Sequence, residues 1–249
     1  MGSSMRQLTT ALILAAGMGT RLLDLGKEAP KGFLRLGEKT IIEESLDKLK
    51  ACGLRKVILV TGHLSEMYDE LAAVSGGFVQ TIKNEIFATS GSGYSFCLAG
   101  DLITPDEDFL LLESDLIYEK RALRVLLEDP RPDIILLSGK TSSGDEVYVE
   151  TRGGDLVAMA KDKTLLGPET TGELVGISKI SAKLFSACCE TGKRLFKKSL
   201  KVEYEAILTE TAKTYPIPCH LVPDLTWAEI DDENHLARAR STVYQKTLD

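Results

Sequence analysis

The most constraining feature of this sequence is a turn with two glycines that directly follows a short apolar run. The run Thr10-Ala11-Leu12-Ile13 is typical of a buried strand, and it continues as Leu14-Ala15-Ala16-Gly17-Met18-Gly19-Thr20-Arg21-Leu22. Glycines permit a tight turn that brings backbone N–H groups close to an anion, and a helix beginning near Thr20 would direct its positive end there. Arg21 and the nearby Pro30-Lys31 pair add two cations. The segment therefore predicts an anion site suited to a triphosphate.

Two common phosphate-binding motifs do not fit this spacing. The Walker loop needs four residues between its glycines and then Gly-Lys-Ser/Thr, which this turn lacks. The dinucleotide fingerprint needs a third glycine where Leu22 stands and an acid after the second strand, where the chain reads Val57-Ile58-Leu59-Val60-Thr61-Gly62. A lone Gly-x-Gly often only connects a strand to a helix, but Arg21 and Lys31 favour a binding role.

These residues resemble the opening motif of the sugar-nucleotidyltransferase-like enzymes, which has the form Gly-x-Gly-x-Arg followed by Pro-Lys. Within that family the chain is most similar to the small CTP-dependent cytidylyltransferases that activate phosphocholine or 2-aminoethylphosphonate, and the resemblance extends from Leu14 to about Ala239. It implies CTP as the nucleotide, Mg²⁺ as the cofactor and a small phosphonate or phosphate as the acceptor. It also implies nucleotide contacts from Lys31 and from the turn residues Leu14, Ala15, Ala16, Gly17, Met18 and Gly19.

The alternation of apolar runs with amphipathic segments predicts a single Rossmann-like α/β domain whose mostly parallel central sheet is flanked by helices. We expect residues 6–249 to form this domain and residues 1–5 to be a vector-derived leader. The predicted strands are Ala11–Ala15, Lys56–Thr61, Val79–Lys83, Phe109–Glu113, Ile134–Ser138, Val147–Thr151, Leu156–Ala160 and Leu174–Ser178. The predicted helices are Ile41–Cys52, Met67–Val74, Ser92–Ala99, Lys120–Glu128, Ala182–Thr191, Glu203–Lys213 and Asn234–Lys246.

Two acidic segments are placed to complete the site. The run Phe109-Leu110-Leu111-Leu112-Glu113-Ser114-Asp115 reads as a buried strand that ends in acids, so Asp115 is expected at the ligand-bearing edge of the sheet. In Trp227-Ala228-Glu229-Ile230-Asp231, an extended backbone would point Glu229 and Asp231 the same way. Mg²⁺ prefers oxygen ligands, commonly one or two carboxylates together with phosphates. Asp115 and Asp231 are therefore the expected metal ligands, and the resemblance assigns the metal to these positions.

Each of these residues also has an ordinary structural interpretation. Asp115 would cap the helix predicted to begin near Lys120, and Asp231 would begin the last helix. Lys31 would be a solvated surface residue, as most lysines are. The combination of both acids with the glycine turn and its two cations favours the nucleotide site.

The resemblance places recognition of the base and nucleoside in the segment from Asn84 to Ser95. This segment is a polar loop that opens a helix, and its small residues let backbone groups approach a base edge. Ser90 or Ser92 would alternatively cap that helix, and the two roles are compatible. The chain reads Thr-Ser-Gly where the family more often has Thr-Asn-Asn, which leaves the contact atoms open. The expected nucleotide contacts here are Asn84, Thr89, Ser90, Gly91 and Ser92, together with Glu113.

The residues expected to bind the acceptor are Lys161, Glu173, Trp227 and Glu229. The resemblance places Lys161 close to the α-phosphate and Glu173 close to the acceptor, although both also fit ordinary surface charges. A quaternary ammonium is usually held in an aromatic cage, whereas a primary ammonium donates three hydrogen bonds and prefers carboxylates. Aromatic residues make up only 6% of the chain, so 2-aminoethylphosphonate is favoured over phosphocholine. The candidates for a cage are Tyr94, Tyr118, Tyr204 and Trp227.

The expected reaction needs no nucleophilic side chain, because a phosphate monoester with a second pKa near ~6 is already anionic at neutral pH. Catalysis would rest on positioning and charge neutralisation. We expect Mg²⁺ on Asp115 and Asp231 to bridge the acceptor and the α-phosphate, with Lys31 offsetting charge there. Arg21 and the turn amides would hold the β- and γ-phosphates while pyrophosphate is expelled.

Composition limits the remaining possibilities. A net charge of −7 argues against nucleic-acid binding, and no run approaches the ~20 apolar residues of a membrane span. Neither nucleic acid nor a membrane is expected as a partner, and we expect a cytoplasmic protein with its five cysteines reduced. A homodimer stays open. So do two other functions, a sugar-1-phosphate nucleotidyltransferase and a catalytically silent nucleotide-binding regulator.

Overall fold

The structure is a computed structural model that describes residues 8–22 and 28–248. The strands are β1 Thr10–Ala15, β2 Lys56–Thr61, β3 Val79–Lys83, β4 Phe109–Glu113, β5 Leu116–Tyr118, β6 Ile134–Ser138, β7 Tyr148–Arg152, β8 Asp155–Ala160, β9 Thr170–Ile180, β10 Cys219–Val222 and β11 Trp227–Glu229. The helices are α1 Ile41–Ala51, α2 Ser65–Val74, α3 Ser92–Leu98, α4 Arg121–Glu128, α5 Ala182–Phe196, α6 Tyr204–Ala212 and α7 Glu233–Arg238. Within the described ranges, every helix is too short or too polar to cross a membrane.

Nine of the described strands form one sheet, whose main path runs in the order β10-β6-β9-β4-β1-β2-β3. Six of these seven strands run in the same direction, and β9 is antiparallel to both of its neighbours, β4 and β6. Strands β7 and β8 extend from β9 as an antiparallel pair. The predicted α/β fold class, with a mostly parallel central sheet between helices, is confirmed. The expected leader, residues 1–5, lies outside the described residues.

Strand β1 shows how a core forms on both faces of the sheet. Ala11, Ile13 and Ala15 enter a hydrophobic cluster with side chains of α1 and α4. Leu12 and Leu14 enter a second cluster with side chains of α3, α5 and α6. A strand that is buried on both faces reads as a continuous apolar run, which is why the sequence locates it.

Three short strands were not predicted, and two of them position the site. Strands β5 and β11 pair antiparallel, with Leu116 opposite Glu229. The N–H of Ile230 extends this pairing by donating to the carbonyl oxygen of Asp115 at 3.0 Å. A three-residue strand is too short to show a period, so its partner can be known only from the folded chain.

Two predicted helices differ from the structure. The helix expected near Thr20 is, within the described residues, a 3₁₀ turn at Thr20–Leu22, and residues 23–27 are not described. A macrodipole needs several aligned peptide units, so the dipole argument does not apply to this turn. The predicted helix Asn234–Lys246 is divided into α7, a π-helical turn at Ala239–Val243 and a 3₁₀ turn at Tyr244–Thr247.

Candidate active site

A cavity of about 610 Å³ lies at the carboxyl ends of the parallel strands. Ala16 follows β1, Asn84 follows β3 and Glu113 ends β4, and all three line this cavity. Because β4, β1, β2 and β3 are neighbours that run in parallel, their carboxyl ends form one continuous edge. Ligands of open α/β sheets bind at this edge.

Most of the residues predicted for the site line this main cavity. They are Leu14, Ala15, Ala16, Gly17, Met18, Arg21, Lys31, Asn84, Ser90, Gly91, Ser92, Glu113, Asp115, Lys161, Glu229 and Asp231. Four other predicted residues, Gly19, Thr89, Glu173 and Trp227, do not line it.

The two glycines of the turn have different roles. Gly19 is buried and has a φ of 60°, a conformation that side-chain-bearing residues rarely adopt, so this position sets the turn. Gly17 lines the cavity, and a Cβ placed there would meet nothing within 4 Å. A side chain at Gly17 would therefore contact no other protein atom, and the glycine leaves open space beside the backbone.

Glu173 lies away from the cavity in which the sequence placed it. Its carboxylate accepts hydrogen bonds from the N–H and the hydroxyl of Thr141, at 2.8 and 2.7 Å. The residue of the same segment that reaches the site is Gly176, which has a φ of +79°. A Cβ at Gly176 would lie 2.9 Å from Oε1 of Glu113, so the glycine makes room for that carboxylate.

Thr89 and Trp227 also lie outside the main cavity. Thr89 is exposed, and its hydroxyl donates to the carbonyl oxygen of Ile86 at 3.2 Å. Trp227 lines a second cavity of about 60 Å³ next to the first, and its Nε1 donates to Ser138 Oγ at 2.8 Å. Trp227 therefore lies next to the main cavity, whereas Thr89 faces solvent.

Lys31 joins the two predicted metal ligands. Its Nζ lies 2.7 Å from Asp115 Oδ2 and also contacts Asp231 Oδ1. Burial alone would lower the pKa of Lys31, but the charges of Asp115 and Asp231 raise it above its ordinary value. Lys31 is therefore a fixed cation at neutral pH, and the surface interpretation does not apply to it.

The capping alternatives for the two acids are also settled by the structure. Lys120 occupies the N-cap of α4 without a side-chain cap, so Asp115 does not cap that helix. The N-cap of α7 is Asp232, whose side chain accepts from the N–H of His235 at 2.8 Å. Asp231 is thus left to the cavity, where it contacts Lys31 and lies 2.8 Å from Arg21 Nη2.

Two further cations, Arg21 and Lys161, line the cavity. Asp145 binds Arg21 Nη1 at 2.6 Å and Lys161 Nζ at 2.7 Å through its two oxygens. Burial alone would raise the pKa of Asp145, but the hydrogen bonds from Lys161 and Arg21 lower it well below its usual range. Arg21 and Lys161 are therefore held side by side at the cavity by an acid that the sequence did not predict.

Gly91 and Gly93, at the start of α3, allow two segments of the chain to pack closely together. The N–H groups of Gly91 and Gly93 donate to the carbonyl oxygens of Leu200 and Val202, at 2.8 and 2.9 Å. A Cβ at Gly91 would overlap the carbonyl group of Val202. The sequence reading, in which small residues let the backbone reach a base, missed this packing requirement.

Ser92 is bound by a remote carboxylate rather than acting as a cap. Its N–H and hydroxyl both donate to Glu203 Oε2, at 2.9 and 2.5 Å. Its hydroxyl oxygen accepts from the N–H of Tyr204 at 2.9 Å. The start of α6 therefore holds the start of α3, and the residue at the N-cap of α3 is Gly91.

Three glutamates form the acidic side of the cavity. Burial, then the charges of Glu205 and Asp115, raise the pKa of Glu113 to about 8. Burial, then the charges of Glu113, Asp115 and Asp231, raise the pKa of Glu229 to about 10. Burial also raises the pKa of Glu205 to about 7. The positive charges near these three carboxylates are therefore too few to keep their pKa values in the ordinary range.

Two of the four aromatic residues considered for a cage do not line either cavity. Tyr118 is fully buried and bonds Ser45, while Tyr94 packs against Phe196 with ring centroids 5.7 Å apart. Tyr204 lines the main cavity, where its hydroxyl donates to Glu113 Oε1, and Trp227 lines the adjoining one.

The carboxylates at the centre of the site fit a divalent cation. Asp231 Oδ2 is buried and has no hydrogen-bond partner in the described part of the chain. Oxygens of Glu113, Asp115 and Glu229 lie within 4.8 Å of one another. Mg²⁺ takes oxygen ligands of this kind, and the group of three includes the expected ligand Asp115 but not Asp231.

Three residues that line the two cavities had no signal in the sequence. Asp145, Glu203 and Glu205 lie in segments with no recognisable motif. These residues could be identified only from the folded structure.

The fold and the site define an α/β protein with a cavity, lined by cations and carboxylates, at the carboxyl edge of its parallel strands. Residues 11–185 match the MobA-like NTP transferase domain, and the chain belongs to this family of nucleotidyltransferases.

The chain is similar to two curated proteins that act on phosphonates. It is 32% identical over 130 residues to the CMP-5'-(3-aminopropyl)phosphonate synthase of Streptomyces rubellomurinus, covering 51% of this chain but only 20% of that protein. It is 28% identical over 177 residues to the 2-aminoethylphosphonate cytidylyltransferase of Lancefieldella rimae, covering 70% of this chain and 68% of that protein. The chain thus matches one fifth of the first relative and about two thirds of the second.

A solved structure shares the fold. The CTP:phosphocholine cytidylyltransferase of Streptococcus pneumoniae superposes with a TM-score of 0.79 at 18% identity, covering 94% of this chain and 98% of that one. This likeness confirms the architecture described above.

Proposed function

We propose that this protein is a cytidylyltransferase that transfers CMP from CTP to 2-aminoethylphosphonate and releases pyrophosphate. The observation that carries the proposal is the presence of several cations and several carboxylates in one cavity. Arg21, Lys31 and Lys161 line this cavity together with Glu113, Glu205 and Glu229. Such a cavity suits a donor rich in phosphates and an acceptor that carries both an anionic and a cationic end.

The residues of this chain have distinct parts in the proposed reaction. The turn around Gly17, with Arg21, would hold the β- and γ-phosphates, and Lys31 would offset the charge that develops at the α-phosphate. An oxygen of the acceptor's phosphonate forms a bond to the α-phosphorus. The bond from that phosphorus to the bridging oxygen breaks, and pyrophosphate leaves with the electron pair.

Asp115 and Asp231 are the proposed ligands of Mg²⁺. The buried, unpartnered Oδ2 of Asp231 supports this role. A bound Mg²⁺ supplies charge neutralisation to phosphate oxygens. The acceptor is already an anion at neutral pH, so the chain needs to supply no general base.

The carboxylates of the cavity and two of the relatives support an amine-bearing phosphonate as the acceptor. Those two relatives are named for aminoalkylphosphonates. Phosphocholine is the less favoured acceptor, because Tyr94 and Tyr118, two of the residues that would form its cage, do not line the cavity. Sugar 1-phosphates have no cationic group for the three glutamates to bind.

Pyrophosphate release tests the proposal. Purified protein with CTP and Mg²⁺ is given 2-aminoethylphosphonate, phosphocholine or glucose 1-phosphate at equal concentration. We expect the highest kcat/KM with the aminophosphonate and its loss in Asp115→Ala. Asp101→Ala, at an exposed position away from the cavity, serves as the matched control. A preference for phosphocholine or the sugar phosphate would contradict the proposed acceptor.

A further inference from the structure

One carboxylate joins two cations of the main cavity that come from distant parts of the chain. Asp145 lies in the β6–β7 loop, residues 139–147, between Ser138 and Tyr148. Its Oδ2 lies 2.6 Å from Arg21 Nη1, in the turn after β1, and its Oδ1 lies 2.7 Å from Lys161 Nζ, directly after β8. Both oxygens of Asp145 are therefore used to bring these two cations together.

Asp145 binds the two cations from outside the main cavity. It lines the adjoining cavity of about 60 Å³ and not the main one, whereas Arg21 lines the main cavity and Lys161 lines both. A guanidinium has five N–H donors and an ammonium has three. Arg21 gives one terminal nitrogen to Asp145 and the other to Asp231, and Lys161 gives one contact to Asp145. Both cations therefore keep N–H donors for a ligand in the main cavity.

The β6–β7 loop is fixed to the rest of the fold through Thr141. The N–H and the hydroxyl of Thr141 donate to Glu173 Oε2 at 2.8 and 2.7 Å, and its carbonyl oxygen accepts from Arg238 Nη2 at 2.9 Å. Glu173 is a buried residue of β9, and Arg238 ends α7. The loop that carries Asp145 is therefore fastened to the central sheet and to the last α-helix.

The loop also has a defined shape between Thr141 and β7. Ser142 and Gly144 have φ values of 57° and 99°, which turn the chain just before Asp145. Burial alone would raise the pKa of Glu146, but hydrogen bonds from the backbone of the loop and from Tyr148 lower it. The loop therefore uses Glu146 to hold its own conformation and Asp145 to bind the two cations.

The two cations need such a partner because their side chains are long and exposed. The side chains of Arg21 and Lys161 are 53% and 57% exposed. Two like charges side by side repel each other, and ordering each flexible side chain when a ligand binds costs affinity. Ion pairs at this exposure contribute little to stability. The effect of Asp145 is therefore expected in ligand binding rather than in the free energy of unfolding.

We propose that Asp145 is a positioning residue, which holds Arg21 and Lys161 in one arrangement in which both contact the phosphates of CTP. The inference rests on the proposed function, which supplies the phosphate ligand. Asp145 itself touches neither the phosphates nor the acceptor. Its negative charge repels a triphosphate, but this repulsion is screened at an exposed position, and ordering the two cations in advance outweighs it.

Calorimetric titration of CTP with Mg²⁺, in the absence of an acceptor, tests this role. The Asp145→Asn variant keeps the size of the side chain and removes its charge. We expect its Kd for CTP to rise roughly 10-fold, because both cations must then be ordered on binding. In pyrophosphate release, the KM for CTP should rise by a similar factor while kcat changes much less, and the urea midpoint should stay unchanged.

Glu210→Gln is the matched control. Glu210 also bridges an arginine and a lysine, Arg194 and Lys213, and its side chain is 26% exposed compared with 22% for Asp145. Glu210 lines neither cavity. This variant loses an equivalent pair of contacts, so its Kd for CTP should equal that of the wild type.

A double-mutant cycle shows whether Asp145 acts through the cations. In a Lys161→Met background, the effect of Asp145→Asn on the Kd for CTP should shrink at least about threefold. Three outcomes would overturn the proposal. Tighter binding by Asp145→Asn would mean that the carboxylate competes with phosphate. Equal factors in both backgrounds would mean that it acts independently of Lys161, and a lower urea midpoint with an unchanged Kd would mean that its role is structural.

Failure of the proposed function is recognised separately. If the wild-type protein binds CTP but releases no pyrophosphate with any of the three acceptors, the proposed function fails, and the CTP titrations still decide the role of Asp145. If the wild-type protein does not bind CTP, inorganic tripolyphosphate with Mg²⁺ is the probe. Binding that Asp145→Asn weakens then supports the positioning role, and absent or unaffected binding overturns it.

Discussion

Lys31 Nζ lies 2.7 Å from Asp115 Oδ2, although 84 positions of the chain separate the two residues. The same ammonium contacts Asp231, which lies 200 positions away from Lys31. The ion pairs join the turn after β1, the end of β4 and the segment after β11. They link the proposed phosphate side of the cavity to both proposed metal ligands.

Replacing Lys31 by methionine should impair both activity and stability. The variant removes the cation proposed to offset charge at the α-phosphate, so kcat should fall at least about 100-fold. It also leaves two buried carboxylates without their partner, which should cost up to about 3 kcal/mol of unfolding free energy. Urea unfolding and pyrophosphate release measure the two effects. Lys83→Met, at a half-exposed lysine paired with Glu85, is the control, and wild-type kcat in Lys31→Met would contradict the proposed role.

Substitutions of the adjacent residues Asp231 and Asp232 should have different effects on activity and stability. Asp231→Asn removes charge from the proposed metal site, so activity should fall about 100-fold and the Mg²⁺ requirement should rise. Asp232→Ala removes the cap of α7 and should cost about 1 kcal/mol of stability with activity retained. The comparison uses Mg²⁺ titrations of pyrophosphate release together with thermal unfolding. Equal loss of activity in both variants would show that the last helix, rather than a metal ligand, is what matters.

Alanine at Gly91 should destabilise the protein. A Cβ at this position would overlap the backbone carbonyl of Val202, which cannot move without shifting the segment before α6. We expect a loss of about 1–3 kcal/mol in unfolding free energy. The KM for CTP should also increase, because the segment at the start of α3 that is expected to contact the nucleotide is displaced. Unfolding in urea checks the first effect. An unchanged midpoint would mean that the two segments approach less closely than described here.

The Gly17→Ala substitution should raise the KM for CTP without affecting stability. Its Cβ would meet nothing within 4 Å, so the unfolding free energy should change by less than about 0.5 kcal/mol. If the amides of this turn contact the triphosphate, the added methyl group will occupy space next to the ligand and raise the KM for CTP. Parallel measurements of unfolding and of the KM for CTP test this. An unchanged KM would place the phosphates elsewhere.

Glu107 should make stability depend on pH in acid. Burial alone would raise its pKa, but hydrogen bonds from Thr10 and Lys56 lower it to about 2. A folded pKa below the unfolded value of about 4.3 gives stability that is present above that value and is lost as pH falls toward 2. Glu107→Gln should flatten the decline of the urea midpoint between about pH 4.5 and the acid limit of folding. A decline equal to that of the wild type would assign the acid sensitivity to other carboxyl groups.

The regular elements were largely encoded in local sequence. Strands Lys56–Thr61, Phe109–Glu113 and Ile134–Ser138 have the predicted bounds, because each is a short and largely buried apolar run. The edge strand Val79–Lys83 also has the predicted bounds, although it is mostly polar. Elements shorter than a full period, such as β5 and β11, have no such signature.

The site was partly encoded in the same way. The turn residues 14–18, Arg21, Lys31, Asp115 and Asp231 were chosen from the sequence, and the structure brings them to one cavity. Glu173 does not line this cavity, and its carboxylate accepts hydrogen bonds from Thr141, a contact that spacing cannot show.

By itself, the sequence determined most of the strands and helices, and which residues carry the charge for a phosphate site. Only the tertiary structure decided that Glu205 lines that site, that Tyr204 contacts Glu113 there, that Gly91 must accommodate Val202, and that Asp232 rather than Asp231 caps the last helix. Local patterns record the burial of successive side chains along one element. The contacts of Lys31 with Asp115 and Asp231, and of Tyr204 with Glu113, join residues 84 to 200 positions apart, and these arise only when the sheet brings its strand ends to one edge.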